Sequence, residues 1–105
     1  MNSDWDIEYY YDGKFEKWFK KLKKEGKLDA IRDELLLLKE MGNKLSMPHS
    51  KNLGNKLYEL RESYYGLRIY YIFRGNKIIL LLNGGDKSTQ ENDIKKALKI
   101  IKQLD

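Results

Sequence analysis

Residues 78–83, IILLLN, are apolar at five consecutive positions. A strand with one wet face alternates apolar and polar side chains, so an unbroken run reads as a strand that is apolar on both faces. That makes 78–83 a central strand, and the rest of the chain must enclose it. Just before it, Arg74-Gly75-Asn76-Lys77 has the residues of a hairpin turn. The preceding stretch GLRIYYIF, 66–73, reads as its antiparallel partner, and LYELRE, 57–62, alternates as a third strand.

The remaining segments supply covering helices. Phe15, Trp18, Phe19 and Leu22 recur at helical spacing with lysines between them, and Gly26 ends that pattern. Leu28, Ile31, Leu35 and Leu38 make a second stripe, closed by Gly42 as a C-terminal cap. Ile94, Ala97, Leu98, Ile101 and Leu104 make a third. WDIEYYY, 5–11, reads as an opening strand broken by Asp12-Gly13. Residues 43–56 read as an irregular connector carrying the only proline and the only histidine. GGDKSTQ, 84–90, reads as a loop in which the glycines let the chain turn sharply and approach a neighbour, with Ser88 or Thr89 as the cap of the last helix and Glu91 placed for a Ser88-based capping box. The predicted order is β-α-α-β-β-β-α. The predicted class is α+β, with a twisted, mostly antiparallel sheet and helices packed on one side.

A chain of 105 residues suits one domain, 1–105, and its 41% hydrophobic content can form a core. With no cysteine, disulfides, thiolate metal sites and a cysteine nucleophile are excluded. No apolar run approaches a membrane span, and MNSDWDIEYY is no signal peptide, so a cytoplasmic protein is expected. No His/Asp/Glu cluster has metal-ligand spacing, no Walker-type glycine loop occurs, and neither metal nor cofactor is expected. The net charge of +5 is compatible with a polyanion or an acidic protein partner.

Arginine is more informative than total charge. Against seventeen lysines there are four arginines, and Arg61, Arg68 and Arg74 fall within fourteen residues. The guanidinium fork suits phosphate better than an ammonium does. Along 66–73, Leu67, Ile69, Tyr71 and Phe73 share one face, and Arg68, Tyr70, Ile72 and Arg74 share the other. Arg61 shares a face with Leu57 and Glu59. Cross-strand register is not readable from the sequence, so convergence of Arg61 with Arg68 stays open, as does pinning of Arg61 by Glu59, Glu62 or Asp86.

LYELR, GLRIYYIF and LLLNGGDKSTQENDIKKA together resemble the RelE/ParE superfamily of bacterial toxins, and more narrowly its HigB-like branch of addiction-module killer proteins. The resemblance covers nearly the whole chain. It implies the toxin of a type II toxin-antitoxin system: a metal-independent, ribosome-dependent endoribonuclease that cleaves mRNA. It implies a cognate antitoxin, helix-turn-helix and HigA-like, through which alone operator DNA would be bound. On the resemblance, Arg68 is the phosphate-binding and catalytic arginine, Arg61 is phosphate-facing or structural, and Lys87 stabilises or protonates the leaving group. RNA contacts fall to Arg74, Lys56, Tyr70 and Gln90, with Asp86 in the same loop as Gln90. Apart from the resemblance, His49 suits an acid or a base, since a histidine ordinarily titrates near neutrality. Leu57 and Glu59 stand where RelE-like nucleases carry lysines, so the general base is not assigned. The alternatives are a ParE-like toxin that inhibits DNA gyrase without cutting RNA, and an inactive relative that only binds its antitoxin.

Overall fold

The computed structural model describes residues 4–12 and 14–104. Its elements are β1 (Asp6–Tyr9), α1 (Lys14–Lys24), α2 (Leu28–Met41), β2 (Ser50–Gly54), β3 (Leu57–Arg61), β4 (Leu67–Arg74), β5 (Ile78–Asp86) and α3 (Gln90–Leu104). Short 3-10 turns at Gly42–Lys44 and Lys87–Thr89 follow α2 and β5. The α+β class, the three helices and the strands over 57–61, 67–74 and 78–83 match the expectation. Gly13, half of the expected break after the first strand, lies outside the described residues.

The five strands form one sheet in the order β1-β5-β4-β3-β2. β1 runs parallel to β5, and every other neighbouring pair is antiparallel. β5 therefore lies inside the sheet along its apolar run. β2 corrects the reading of 43–56 as wholly irregular. SKNLG carries no apolar alternation, and its strand form comes from pairing with β3 across a turn in which Asn55 and Lys56 both take positive φ.

The helices cover both faces of the sheet, which corrects the one-sided expectation. Phe15 and Leu22 of α1 and Ile31 and Leu38 of α2 pack with Leu60, Ile69, Tyr71 and Leu81. On the other face, Ala97 and Ile100 of α3 pack with Leu57, Tyr70, Leu80 and Leu82. An apolar strand such as β5 needs this arrangement, since each buried Leu or Ile is stabilised by about 1.5–3 kcal/mol over leaving it exposed.

The strand β5 continues through Gly84, Gly85 and Asp86, so the first part of GGDKSTQ is strand and not loop. The glycines serve close approach rather than a turn. A β-carbon on Gly84 would strike the Trp18 ring of α1, and one on Gly85 would strike the Asp93 carboxylate of α3. The two helices thus press on consecutive residues from opposite faces. Leu82 is the extra residue of a bulge in the register with β4. The bulge places Asn83 opposite Tyr70, on the α3 face, where its Nδ2 donates to the Asp93 carbonyl at 2.9 Å.

Candidate functional site

Arg61 and Arg68 stand directly opposite each other in the β3–β4 register, and Arg68 stands opposite Gly85 of β5. Lys87 follows two residues later, where the strand gives way to the turn into α3. The three cations line one pocket of ≈ 290 Å³ together with Pro48, Ser63 and Gly66. Like charges facing each other across a strand pair repel. Glu59 offsets that repulsion, because it shares their face and is fully buried. Its Oε1 lies 3.6 Å from Arg61 Nε and its Oε2 lies 3.9 Å from Arg68 Nε. Gln90 Nε2 donates to the same Oε2 at 2.6 Å, tying the first turn of α3 to the pocket.

The two arginines differ in freedom. The Arg68 side chain is only 5% exposed and donates through Nη1 to the Leu67 carbonyl at 3.1 Å. Its Nε and Glu59 Oε1 have no hydrogen-bond partner, so charge more than aligned hydrogen bonding holds this cluster. Arg61 is 29% exposed, and Lys87 is exposed. The pocket therefore has a fixed, nearly buried guanidinium at its back and two cations at its rim.

Glu62 shapes the approach. Its carboxylate accepts from the backbone N–H groups of Tyr64 at 2.6 Å and Tyr65 at 3.1 Å, locking the turn that leads into β4. That turn presents Tyr64, 82% exposed, beside the pocket-lining Ser63. Tyr64 and Tyr65 pack edge to face, with ring centroids 4.7 Å apart. Sequence reasoning passed over this pair, although two adjacent tyrosines before a glycine between strands was a usable signal.

The other expected site residues lie elsewhere. Tyr70 is fully buried, which corrects its assignment as an RNA contact; burial first, then the neighbouring Glu59 charge, push its hydroxyl well above the usual tyrosine range. Lys56 and Arg74 line a different pocket with Ile72, Phe73 and Gly75. Arg74 lies six residues beyond Arg68 along β4, about 20 Å at ~3.3 Å per residue. Gln90 reaches the site only through Glu59. The His49 Nδ1 lies 3.0 Å from Glu34 Oε2 of α2, so the ring serves the α2 contact while its carbonyl accepts from the Arg61 N–H at 2.8 Å. Asp86 is the cap of the turn into α3. Its Oδ1 accepts from the Ser88 N–H at 2.8 Å and the Ser88 hydroxyl at 2.6 Å, and its own N–H donates to Thr89 Oγ1 at 3.2 Å. The Ser88 hydroxyl chiefly holds the Asp86 carboxyl below its usual range. The capping box thus starts at Asp86 and ends at Thr89, in place of the expected Ser88–Glu91 pair. Among the described residues, no group of three or more acidic or histidine side chains could hold a metal ion. No described helix is long and apolar enough to cross a membrane.

The architecture has a counterpart in a solved structure, a copper-bound mutant toxin from Helicobacter pylori. That structure aligns with a TM-score of 0.58 at 19% identity, over 80% of this chain and 96% of that one. In sequence, an uncharacterized protein of Haemophilus influenzae is 33% identical over 91 residues, covering 86% of this chain and 88% of its own. A family model for phage-derived Gp49-like proteins (DUF891) matches residues 17–104, from α1 to the end of α3. The chain belongs to this Gp49-like family.

Proposed function

We propose that this chain is the toxin of a type II toxin-antitoxin pair and that it cleaves mRNA on the translating ribosome, as HigB-like members of the RelE/ParE superfamily do. The convergence of Arg61, Arg68 and Lys87 on one pocket carries this reading. The fold shared with a protein described as a toxin supports it. The ribonucleotide supplies its own nucleophile: the 2′-hydroxyl gives its proton to water and attacks the adjacent phosphorus, closing a 2′,3′-cyclic phosphate as the bond to the 5′-oxygen breaks and that oxygen leaves with a proton. Arg68, held at the back, and Arg61, at the rim, meet the non-bridging oxygens as charge builds on them. Lys87, exposed at the end of the sheet, delivers the proton to the leaving oxygen. Tyr64 offers an exposed ring on which a flanking base stacks. A helix-turn-helix, HigA-like antitoxin and a cytoplasmic setting belong to the same reading.

A second reading has one observation in its favour. Among the described residues, no carboxylate, histidine or tyrosine lines the pocket to act as general base. That arrangement suits a ParE-like toxin that binds DNA gyrase without cutting RNA. Induced expression in bacteria with genome-wide mapping of transcript ends separates the two. Cleavage within translated reading frames, abolished when ribosomes are kept off the message, is the expected result. Intact mRNA with DNA damage and gyrase inhibition would move the assignment to the second reading.

A further inference from the structure

The parallel pairing of β1 covers β5 only from Ile78 to Leu81, and the last bond of that edge runs from the Tyr10 N–H to the Leu81 carbonyl at 2.8 Å. From Leu82 to Asp86, no described strand pairs with β5 on that side. This open edge forms the floor of a cleft of ≈ 630 Å³ between α1 and α3, with Asn83 and Gly84 at its base and Trp18 in its wall. Six lysines line the cleft, Lys14, Lys17, Lys20, Lys21 and Lys24 from α1 and Lys96 from α3. None of them forms a salt bridge among the described residues. The cleft's one carboxylate, Asp93, is occupied by the Thr89 hydroxyl at 2.5 Å.

Asn83 indicates what the cleft takes. It is 6% exposed, and while its Nδ2 donates to the Asp93 carbonyl, its Oδ1 is a buried acceptor with no partner. A buried acceptor left without a partner is costly, and a ligand whose donor reaches it recovers that cost. An inorganic polyphosphate offers acceptors alone, and an RNA strand, although its 2′-hydroxyls and bases carry donors, has no regular row of backbone N–H groups to match the free carbonyls of the β5 edge. An extended peptide offers N–H groups to Asn83 and to the carbonyls of the open edge, and its carboxylates meet the lysines. A second copy of this chain is disfavoured by its own net charge of +5.

We infer that the cleft between α1 and α3 binds an acidic, extended segment of a partner protein as an added strand on the free half of β5. On the toxin-antitoxin reading the antitoxin would supply that segment, but the inference does not need the nuclease reading and is tested apart from it. The probe is a short blocked peptide alternating glutamate and valine, titrated against the full chain and followed by hydrogen exchange of the backbone amides. Its controls are a lysine-valine peptide and an oligouridylate of similar length. The expected result is salt-sensitive binding of the acidic peptide, added protection at Asn83–Asp86, and a loss of about tenfold or more in affinity in the folded Lys17→Glu/Lys24→Glu variant. No binding, binding that leaves those amides unprotected, exclusive binding of the oligonucleotide at the cleft, or self-association through this edge would each overturn the inference.

Discussion

The arginine pocket and the lysine cleft are both cationic, yet they are built in opposite ways. In the pocket, Arg61 and Arg68 are set by strand register and anchored to a fully buried carboxylate. Their charges were partly desolvated when the chain folded, so they need little reorganisation when an anion arrives. In the cleft, the lysines of α1 stand on flexible stems in water, without ion-pair partners among the described residues. Such a set makes a field that gathers acidic groups without fixing one geometry. The pocket's charges are part of the structure, and the cleft's charges are an addition to its surface.

The largest expected effect follows from that contrast. Glu59→Ala leaves the buried Arg68 without its counter-charge and removes the acceptor of Gln90, so urea unfolding should show a loss of about 3–5 kcal/mol. An unchanged midpoint would mean that the pocket is no more built in than the cleft. Next come the two glycines, which bring a helix down on each site. Gly85→Ala forces the Asp93 carboxylate away from β5, and Gly84→Ala forces back the Trp18 ring. Each should cost roughly 1–3 kcal/mol by thermal or urea denaturation. If Gly84→Ala were neutral, the α1 wall of the cleft would be looser than its contact with β5 indicates.

Asp86 gives a smaller effect with a pH signature. Asp86→Ala removes the cap that sets Lys87 and should cost about 1 kcal/mol near neutrality. Because the folded carboxyl is held below its ordinary value of 3.8, its contribution is full above that value and fades as the pH falls through the folded pKa. The gap between wild type and Asp86→Ala should therefore close in acid, and a gap that held constant with pH would place the effect elsewhere. The smallest effect is expected in the cleft, where Lys17→Glu should alter stability by no more than about 0.5 kcal/mol.

The sequence disclosed the elements whose side chains repeat with a clean period. Leu28, Ile31, Leu35 and Leu38 mark α2, and the alternation around Ile69 and Tyr71 marks β4. β2 escaped notice because its residues are mostly polar and exposed, so only its pairing with β3 makes it a strand. The second covered face escaped because Arg68 and Tyr70 made it look wet, whereas α3 covers it and Glu59 receives the arginine. Face parity grouped Arg61 with Glu59 and Arg68 with Tyr70, each within its own strand, and only register shows the two arginines on one face and opposed. The separation of Lys56 and Arg74 from the pocket and the burial of Tyr70 are likewise tertiary facts. In the α1 lysines, the helical pattern revealed a polar face and nothing of the open strand edge beneath it.

The central claim is that the fixed pocket, and no other basic patch, meets the scissile phosphate. The most direct test compares mRNA cleavage by Arg61→Ala with cleavage by Arg74→Ala, both shown to be folded, using mapped transcript ends as the readout. Arg61 stands partly exposed at the rim, so its removal should lower cleavage by about 10²–10³-fold, the range for losing one charge-stabilising donor. Arg74→Ala, at the far end of the sheet, should cleave within about twofold of wild type. Full cleavage by Arg61→Ala, or a loss in Arg74→Ala as large as that in Arg61→Ala, would contradict the account.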